Sequence, residues 1–322
     1  MPNTSALILG GSGQDGAFLA DYLLRAGSDV TSLSSKLSDR ISSLGISQIE
    51  RKINPDSGIS EILHEIRPSI VINLVSLSSV AYCEENQAES LAINRELVFK
   101  LSTEIQAYSE NLSLPVKFIQ ASSSEMFGTG SHVCSETTKL NPVTTYGIHK
   151  RDAHEFLLRT STELVTNISV ILFNHESEFR PANFVSAKVA RAAAEVAVYG
   201  FTEIEFGNLE SKRDWGFAGD YMRAVTEICI NAKQQCYVIA SGKLHSIREM
   251  LETAFKYVGI ENFEEHIKVN SKYLRKVETP PIVGDSGLYK SEFGDIATLS
   301  FSQTIGRMVQ YHLDEIRGYQ NV

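Results

Sequence analysis

The chain has 322 residues, 43 % of them apolar and 21 % charged, and its 30 basic against 39 acidic side chains give a net charge of −9. This composition excludes disordered, collagenous and rod-like chains, and the negative charge argues against a nucleic-acid footprint, because nucleic acids are polyanions. At about 150 residues per domain the length suits two domains, or one large α/β domain with an appendage.

The chain opens on an apolar run, Ala6-Leu7-Ile8-Leu9, then the turn Gly10-Gly11-Ser12-Gly13-Gln14-Asp15-Gly16, then an amphipathic stretch through Phe18, Leu19, Tyr22 and Leu23. This reads as strand, glycine turn and helix. The alternation recurs, with strands expected at Val30 to Leu33, Ile70 to Val75, Val116 to Ala121 and Ile168 to Phe173. Helices are expected at Ile59 to Ile66, at Glu85 to Tyr108 and through Tyr146 and Lys150. Apolar strands alternating with helices predict a doubly wound parallel sheet over residues 1–175, the dinucleotide-binding domain. Beyond Phe173 the rhythm changes to helices near Val185–Val198, Asp220–Asn231, Ser246–Tyr257 and Gln303–Leu313, with short strands near Ile204 and Val238. Residues 176–322 are therefore expected to form a smaller α/β substrate domain whose segments interleave with the first. Pro280-Pro281 reads as a local kink.

Cys83, Cys134, Cys229 and Cys236 have no zinc-type spacing and read as buried thiols, so neither a metal nor a disulfide is expected. Apolar runs fall far short of the ~20 residues that span a bilayer, and no basic segment precedes an apolar core at the N-terminus. A cytoplasmic protein without membrane partners is the expectation.

Gly10, Gly13 and Gly16, with Gln14 and Asp15 between the last two, stand where a strand feeds a helix. A dinucleotide pyrophosphate can approach backbone N–H groups there, at the positive helix end. The second strand ends in Ser34-Ser35-Lys36 with Arg40 further on, rather than in the acid that would accept from a ribose 2′-hydroxyl. Hydroxyls and cations favour NADP over NAD. Tyr146 and Lys150 are spaced i, i+4 on one helix face. An ammonium near a phenol is expected to lower its pKa and make Tyr146 a base. Ser123, at the end of an upstream strand, can hold the substrate oxygen that Tyr146 deprotonates. His149 and His154 are expected off the tyrosine face, as solvent or interface groups. His175 is expected to be a hydrogen-bonded packing residue, and Trp215 to pack beside Arg213 and Asp214.

With these residues in place, the chain resembles the extended short-chain dehydrogenase/reductases and, within them, the GDP-mannose 4,6-dehydratase family. The resemblance spans nearly the whole chain and rests on Gly13-Gln14-Asp15-Gly16, Ser122-Ser123-Ser124-Glu125-Met126-Phe127-Gly128, Phe173-Asn174-His175-Glu176-Ser177, Gly207-Asn208-Leu209, Lys212-Arg213-Asp214-Trp215-Gly216 and Tyr237-Val238-Ile239-Ala240. It implies a nucleotide-sugar dehydratase in which Ser123 replaces the family's threonine, Glu125 is the acid/base, and Tyr146 and Lys150 serve the redox step. Asn174, Lys188, Arg213, Arg275 and Glu278 then handle the nucleotide sugar. The alternatives are a 4-epimerase or 4-keto reductase, which needs Ser123, Tyr146 and Lys150 but no carboxylate, and a cofactor-sensing regulator, for which the tyrosine and lysine need not both be kept. The chain departs from the family at Leu77, Ser79 and Phe179-Arg180, and in a shorter loop after the second strand. A homodimer formed through the helices at Glu85–Tyr108 and Tyr146 is implied, and the short loop argues against a tetramer.

Overall fold

A computed structural model describes residues 4–201, 203–273 and 280–320. Seven parallel strands form the main sheet: β1 (Ser5–Leu9), β2 (Asp29–Ser34), β3 (Ser47–Glu50), β4 (Ile70–Asn73), β5 (Val116–Ser123), β6 (Val165–Leu172) and β7 (Cys236–Ile239). Their order across the sheet is β7-β6-β5-β4-β1-β2-β3. The order reverses between β1 and β4, which opens a ligand crevice at the carboxyl ends of these strands.

Side-chain alternation along the strands feeds two cores. Ala6 and Ile8 face α1 (Gln14–Arg25), through Leu19 and Leu23. Leu7 and Leu9 face the opposite layer, where Leu97, Leu101 and Ile105 of α3 (Leu97–Leu112) pack. Sheet strands buried on both faces need apolar residues throughout, as in the run Ile70-Val71-Ile72.

The expected helix Glu85–Tyr108 is divided. Glu85 closes α2 (Val80–Glu85), Asn86 breaks the path at φ −125°, and Gln87–Leu91 leads through a π-helical turn, Ala92–Glu96, into α3. The π turn brings Asn94 inward, where it is 1 % exposed.

The strand near Val238, expected in the second layer, belongs to the main sheet as β7, paired with β6. Tyr237, Val238 and Ile239 are wholly buried, and an apolar strand of this kind needs cover on both faces. The helix expected at Asp220–Asn231 likewise packs on α1 and the main sheet, as α6 (Ala218–Asn231). A separate core joins α5 (Val185–Tyr199), α7 (Ile247–Tyr257) and α8 (Phe301–Gln320). Small sheets flank it, including Asn174–Glu176 beside Lys212–Phe217 and Ile204–Phe206 beside Ile267–Val269. Among the described residues no helix is long and apolar enough to cross a membrane.

Candidate functional site

A cleft of about 930 Å³ runs from the glycine turn over the ends of β4, β5 and β6 to Phe206 and Tyr273. At its floor Gly13 caps α1 without a side-chain hydrogen bond, leaving the helix terminus open to an anion. Gly16 is required by close approach: a Cβ there would lie 2.0 Å from the Gly11 carbonyl oxygen. Gly10, Gly13, Gln14, Asp15 and Gly16 all line the cleft, and the uncapped terminus fits a dinucleotide pyrophosphate.

Gln14 and Asp15 also tie this floor to the second lobe. Gln14 Nε2 donates to the His175 carbonyl at 3.1 Å, and the Ser177 hydroxyl donates to Gln14 Oε1 at 3.0 Å. His175 offers Nδ1 to the Phe173 carbonyl at 2.7 Å and Nε2 to Asp15 Oδ2 at 3.1 Å. Burial alone would lower the pKa of His175, but the Asp15 carboxylate raises it; burial would raise that of Asp15, but His175 brings it below the ordinary value. With both nitrogens facing acceptors, the surroundings of His175 favour its charged form, and its role is packing. Arg180 also lines the cleft, 3.0 Å from Glu176 and stacked 3.7 Å over Phe184.

The residues expected at a 2′-phosphate are spread apart, and none stands in the cleft wall. The Ser34 hydroxyl accepts from the Ser12 N–H at 2.9 Å and braces the glycine turn. Ser35 and Lys36 are exposed at the end of β2, while the Arg40 guanidinium lies 4.0 Å over the Phe179 ring.

Ser123, Glu125, Tyr146 and Lys150 meet in the cleft. The helix α4 (Thr145–Arg159) carries the last two. It is capped by Thr144, whose hydroxyl accepts from Gly147 N–H at 3.1 Å, and Glu84 of α2 takes the Thr145 N–H at 2.6 Å. Gly147 lets α4 lie against the Glu125 segment, because a Cβ would meet the Glu125 carbonyl at 2.5 Å. Ser123 accepts from the Glu125 N–H at 3.2 Å, and Glu125 Oε2 is buried without a hydrogen-bond partner among the described residues.

Burial opposes the lowering of the phenol's pKa that the spacing suggests. Lys150 Nζ donates to the Ala121 carbonyl at 2.8 Å and stands 5.8 Å from the Tyr146 ring centre. Burial pulls the ammonium down to about 8 and pushes the phenol up to about 12, with the Ser123 and Ser76 hydroxyls opposing the rise. Ser76 was not among the expected residues.

His154 departs from expectation. It lies two turns after Tyr146 on the same stripe, is 6 % exposed, and its Nδ1 meets the Ser169 hydroxyl at 2.7 Å. Burial lowers its pKa to about 4, so it is a neutral packing group. His149 is half-buried, with Nδ1 2.9 Å from the Ser90 hydroxyl.

At the far end of the cleft stand Asn174, Lys188 and Arg213. Lys188 Nζ donates to the Glu205 carbonyl and sits 4.8 and 4.4 Å from the Phe206 and Tyr273 ring centres. Trp215 is buried, its ring stacked with Phe301, as a packing residue whose edge reaches the cleft. Arg275 and Glu278 lie outside the described residues.

A family model described as GDP-mannose 4,6 dehydratase matches residues 7–308. The chain is 31 % identical to GDP-mannose 4,6 dehydratase 1 of Arabidopsis thaliana, over 97 % of this chain and 91 % of the relative. It is 30 % identical to the GDP-mannose 4,6 dehydratase of Cricetulus griseus, over 99 % and 94 %. Among solved structures it is similar to Thermotoga maritima UDP-glucose 4-epimerase with UDP-glucose, at a TM-score of 0.83 and 20 % identity over 97 % of this chain and 100 % of that one. It is also similar to Bacillus anthracis dTDP-glucose 4,6-dehydratase in complex with NAD, at 0.81 and 16 % over 99 % of each chain, and to Pseudomonas aeruginosa RMD complexed with NADPH, at 0.80 and 20 % over 97 % and 100 %. These structural likenesses establish the shared fold.

Proposed function

The chain belongs to the GDP-mannose 4,6-dehydratase family, and on that premise we propose that it converts GDP-mannose to GDP-4-keto-6-deoxymannose. The observation that carries this reading is Glu125, a half-buried carboxylate in the same cleft as Ser123 and Tyr146, with one oxygen that no group among the described residues satisfies. A carboxylate so placed suits elimination, whereas epimerisation and reduction at carbon 4 need only the serine, tyrosine and lysine.

Ser123 orients the sugar 4-hydroxyl and the Tyr146 phenolate takes its proton. A nicotinamide held from the glycine turn supplies, when bound, the acceptor for the carbon 4 hydride and its later return to carbon 6. The carbonyl formed at carbon 4 acidifies the carbon 5 hydrogen. Glu125 removes that proton and protonates the departing 6-hydroxyl, which leaves as water. Carbon 5 regains a proton and Tyr146 gives up its own, so the residues return to their starting state. Asn174, Lys188 and Arg213, together with Arg275 and Glu278, hold the nucleotide diphosphate and sugar.

We read the cofactor as NADP, because β2 ends without an acid that would repel a 2′-phosphate and the exposed Ser35 and Lys36 follow it. The assembly is read as a homodimer through α3 and α4, on the family resemblance. The four free cysteines suit a reducing, cytoplasmic setting. Incubating the purified protein with a panel of nucleotide sugars and no added cofactor tests the function. GDP-mannose should yield a product lighter by one water. A 4-epimer, or no product from any sugar, overturns the reading.

A further inference from the structure

The glycine turn, the Ser123–Tyr146 pair and the lobe cations are all absorbed by the proposed reaction, but Glu84 is not, although it lines the same cleft. It stands in the last turn of α2, and both of its oxygens close on one residue of another helix. Oε1 accepts from the Thr145 N–H at 2.6 Å and Oε2 from the Thr145 hydroxyl at 3.0 Å. Thr145 is the first residue of α4 and the immediate neighbour of Tyr146. The first N–H groups of a helix have no partner within it, and a carboxylate is favoured at that positive end. The Thr144 hydroxyl takes the Gly147 N–H, but that bond lies within the segment and travels with it. The Glu84 bonds come from a different element, so they fix where the helix begins. The same turn lies against the Glu125 segment, where a Cβ on Gly147 would meet the Glu125 carbonyl at 2.5 Å. Further along α4, His149 meets Ser90 at 2.9 Å and Lys150 meets the Ala121 carbonyl at 2.8 Å.

We propose that Glu84 is a positioning residue for Tyr146: by gripping Thr145 it sets the place of the phenol relative to Ser123 and Glu125, and so serves both halves of the reaction. No proton moves and no covalent bond changes at Glu84. Geometry is what it supplies, so the isosteric amide should serve as well. In Glu84→Gln the amide carbonyl can still accept from the Thr145 N–H, while the amide NH2 donates to the Thr145 hydroxyl. In Glu84→Ala both bonds are lost.

The inference rests on the reading of Tyr146 as base, and the test separates the two. Turnover of GDP-mannose, cofactor affinity and Tm are measured for the wild type and for Glu84→Ala, Glu84→Gln, Thr145→Val and Tyr146→Phe, with kinetics taken well below each Tm. Glu84→Ala should lower kcat by about ten- to a hundredfold, the range for a slightly misplaced catalytic group, while KM and cofactor affinity hold. Glu84→Gln should restore kcat. Thr145→Val, which removes one bond and keeps the N–H, should show the same split at smaller amplitude. In a Glu125→Gln background, where only oxidation proceeds, adding Glu84→Ala should slow the appearance of reduced cofactor. A lower Tm with unmoved kcat in Glu84→Ala, or in Thr145→Val if the alanine variant does not fold, makes Glu84 a helix cap only and overturns the proposal. Equal losses in Glu84→Ala and Glu84→Gln overturn it too, because the charge would then be what acts. Turnover by Tyr146→Phe overturns the base assignment and this inference with it.

Discussion

Replacing His175 by leucine should destabilise the fold measurably and in a pH-dependent way. The change keeps comparable bulk but removes both donors from the Phe173 carbonyl and from Asp15. Breaking a fully buried ion pair costs about 3–5 kcal/mol. The two side chains here are 12 % and 23 % exposed, so solvent screening reduces the expected loss to about 2–3 kcal/mol. For a chain of this size that corresponds to roughly 4–6 °C in Tm. The sign of the pH dependence follows from the two directions of shift. His175 has a raised pKa, so its contribution is complete below the unfolded value of about 6.5 and fades as pH rises through the folded one. Asp15 has a lowered pKa, so its contribution is present above its unfolded value of about 4 and fades as pH falls through the folded one. The deficit of His175→Leu should therefore be largest between about pH 4 and 6.5 and shrink in alkali. Arg180, whose charge acts on both groups, is left in place throughout. Thermal unfolding of wild type, His175→Leu, Asp15→Asn and the double variant at pH 5.5 and pH 9 is the assay. The double variant should lose less than the sum of the singles. Additivity within about 0.5 kcal/mol, with no pH dependence, would refute the pairing.

Two further outcomes follow from the cleft. Gly16→Ala places a methyl group 2.0 Å from the Gly11 carbonyl, so the turn must open, and dinucleotide affinity in a fluorescence titration should fall by at least about tenfold; an unchanged affinity would remove the glycine turn from the cofactor site. Arg213→Ala should weaken GDP binding by about 2 kcal/mol, roughly thirtyfold, while cofactor affinity is retained; equal binding would move the anion site elsewhere.

The parts of the fold legible in the sequence were those written locally. The apolar run Ala6–Leu9, the glycines after it and the i, i+4 spacing of Tyr146 and Lys150 each encode geometry within a few residues, and the strand, turn and helix face they predict are present. The same spacing also places His154, at i+8 from Tyr146, on the buried stripe rather than at the surface. The run near Val238 marks a buried strand, but four apolar residues cannot say which sheet they join. Long-range contacts were invisible for the same reason. Nothing near Arg40 indicates that it stacks on Phe179, and nothing near Ser76 points to a π turn that presents Asn94. Helix spacing gives the proximity of Lys150 to Tyr146, but neither the Ala121 carbonyl that takes the ammonium nor the burial that acts on the phenol.

The central claim, that one cleft joins redox chemistry at carbon 4 to elimination through Glu125, is tested most directly by Glu125→Gln. This variant keeps shape and hydrogen bonding but removes the base, so oxidation through Tyr146 should proceed while elimination stops. On mixing with GDP-mannose, reduced cofactor should accumulate as near-ultraviolet absorbance, with no water released and no solvent deuterium entering carbon 5. Full dehydratase turnover by Glu125→Gln would contradict the account.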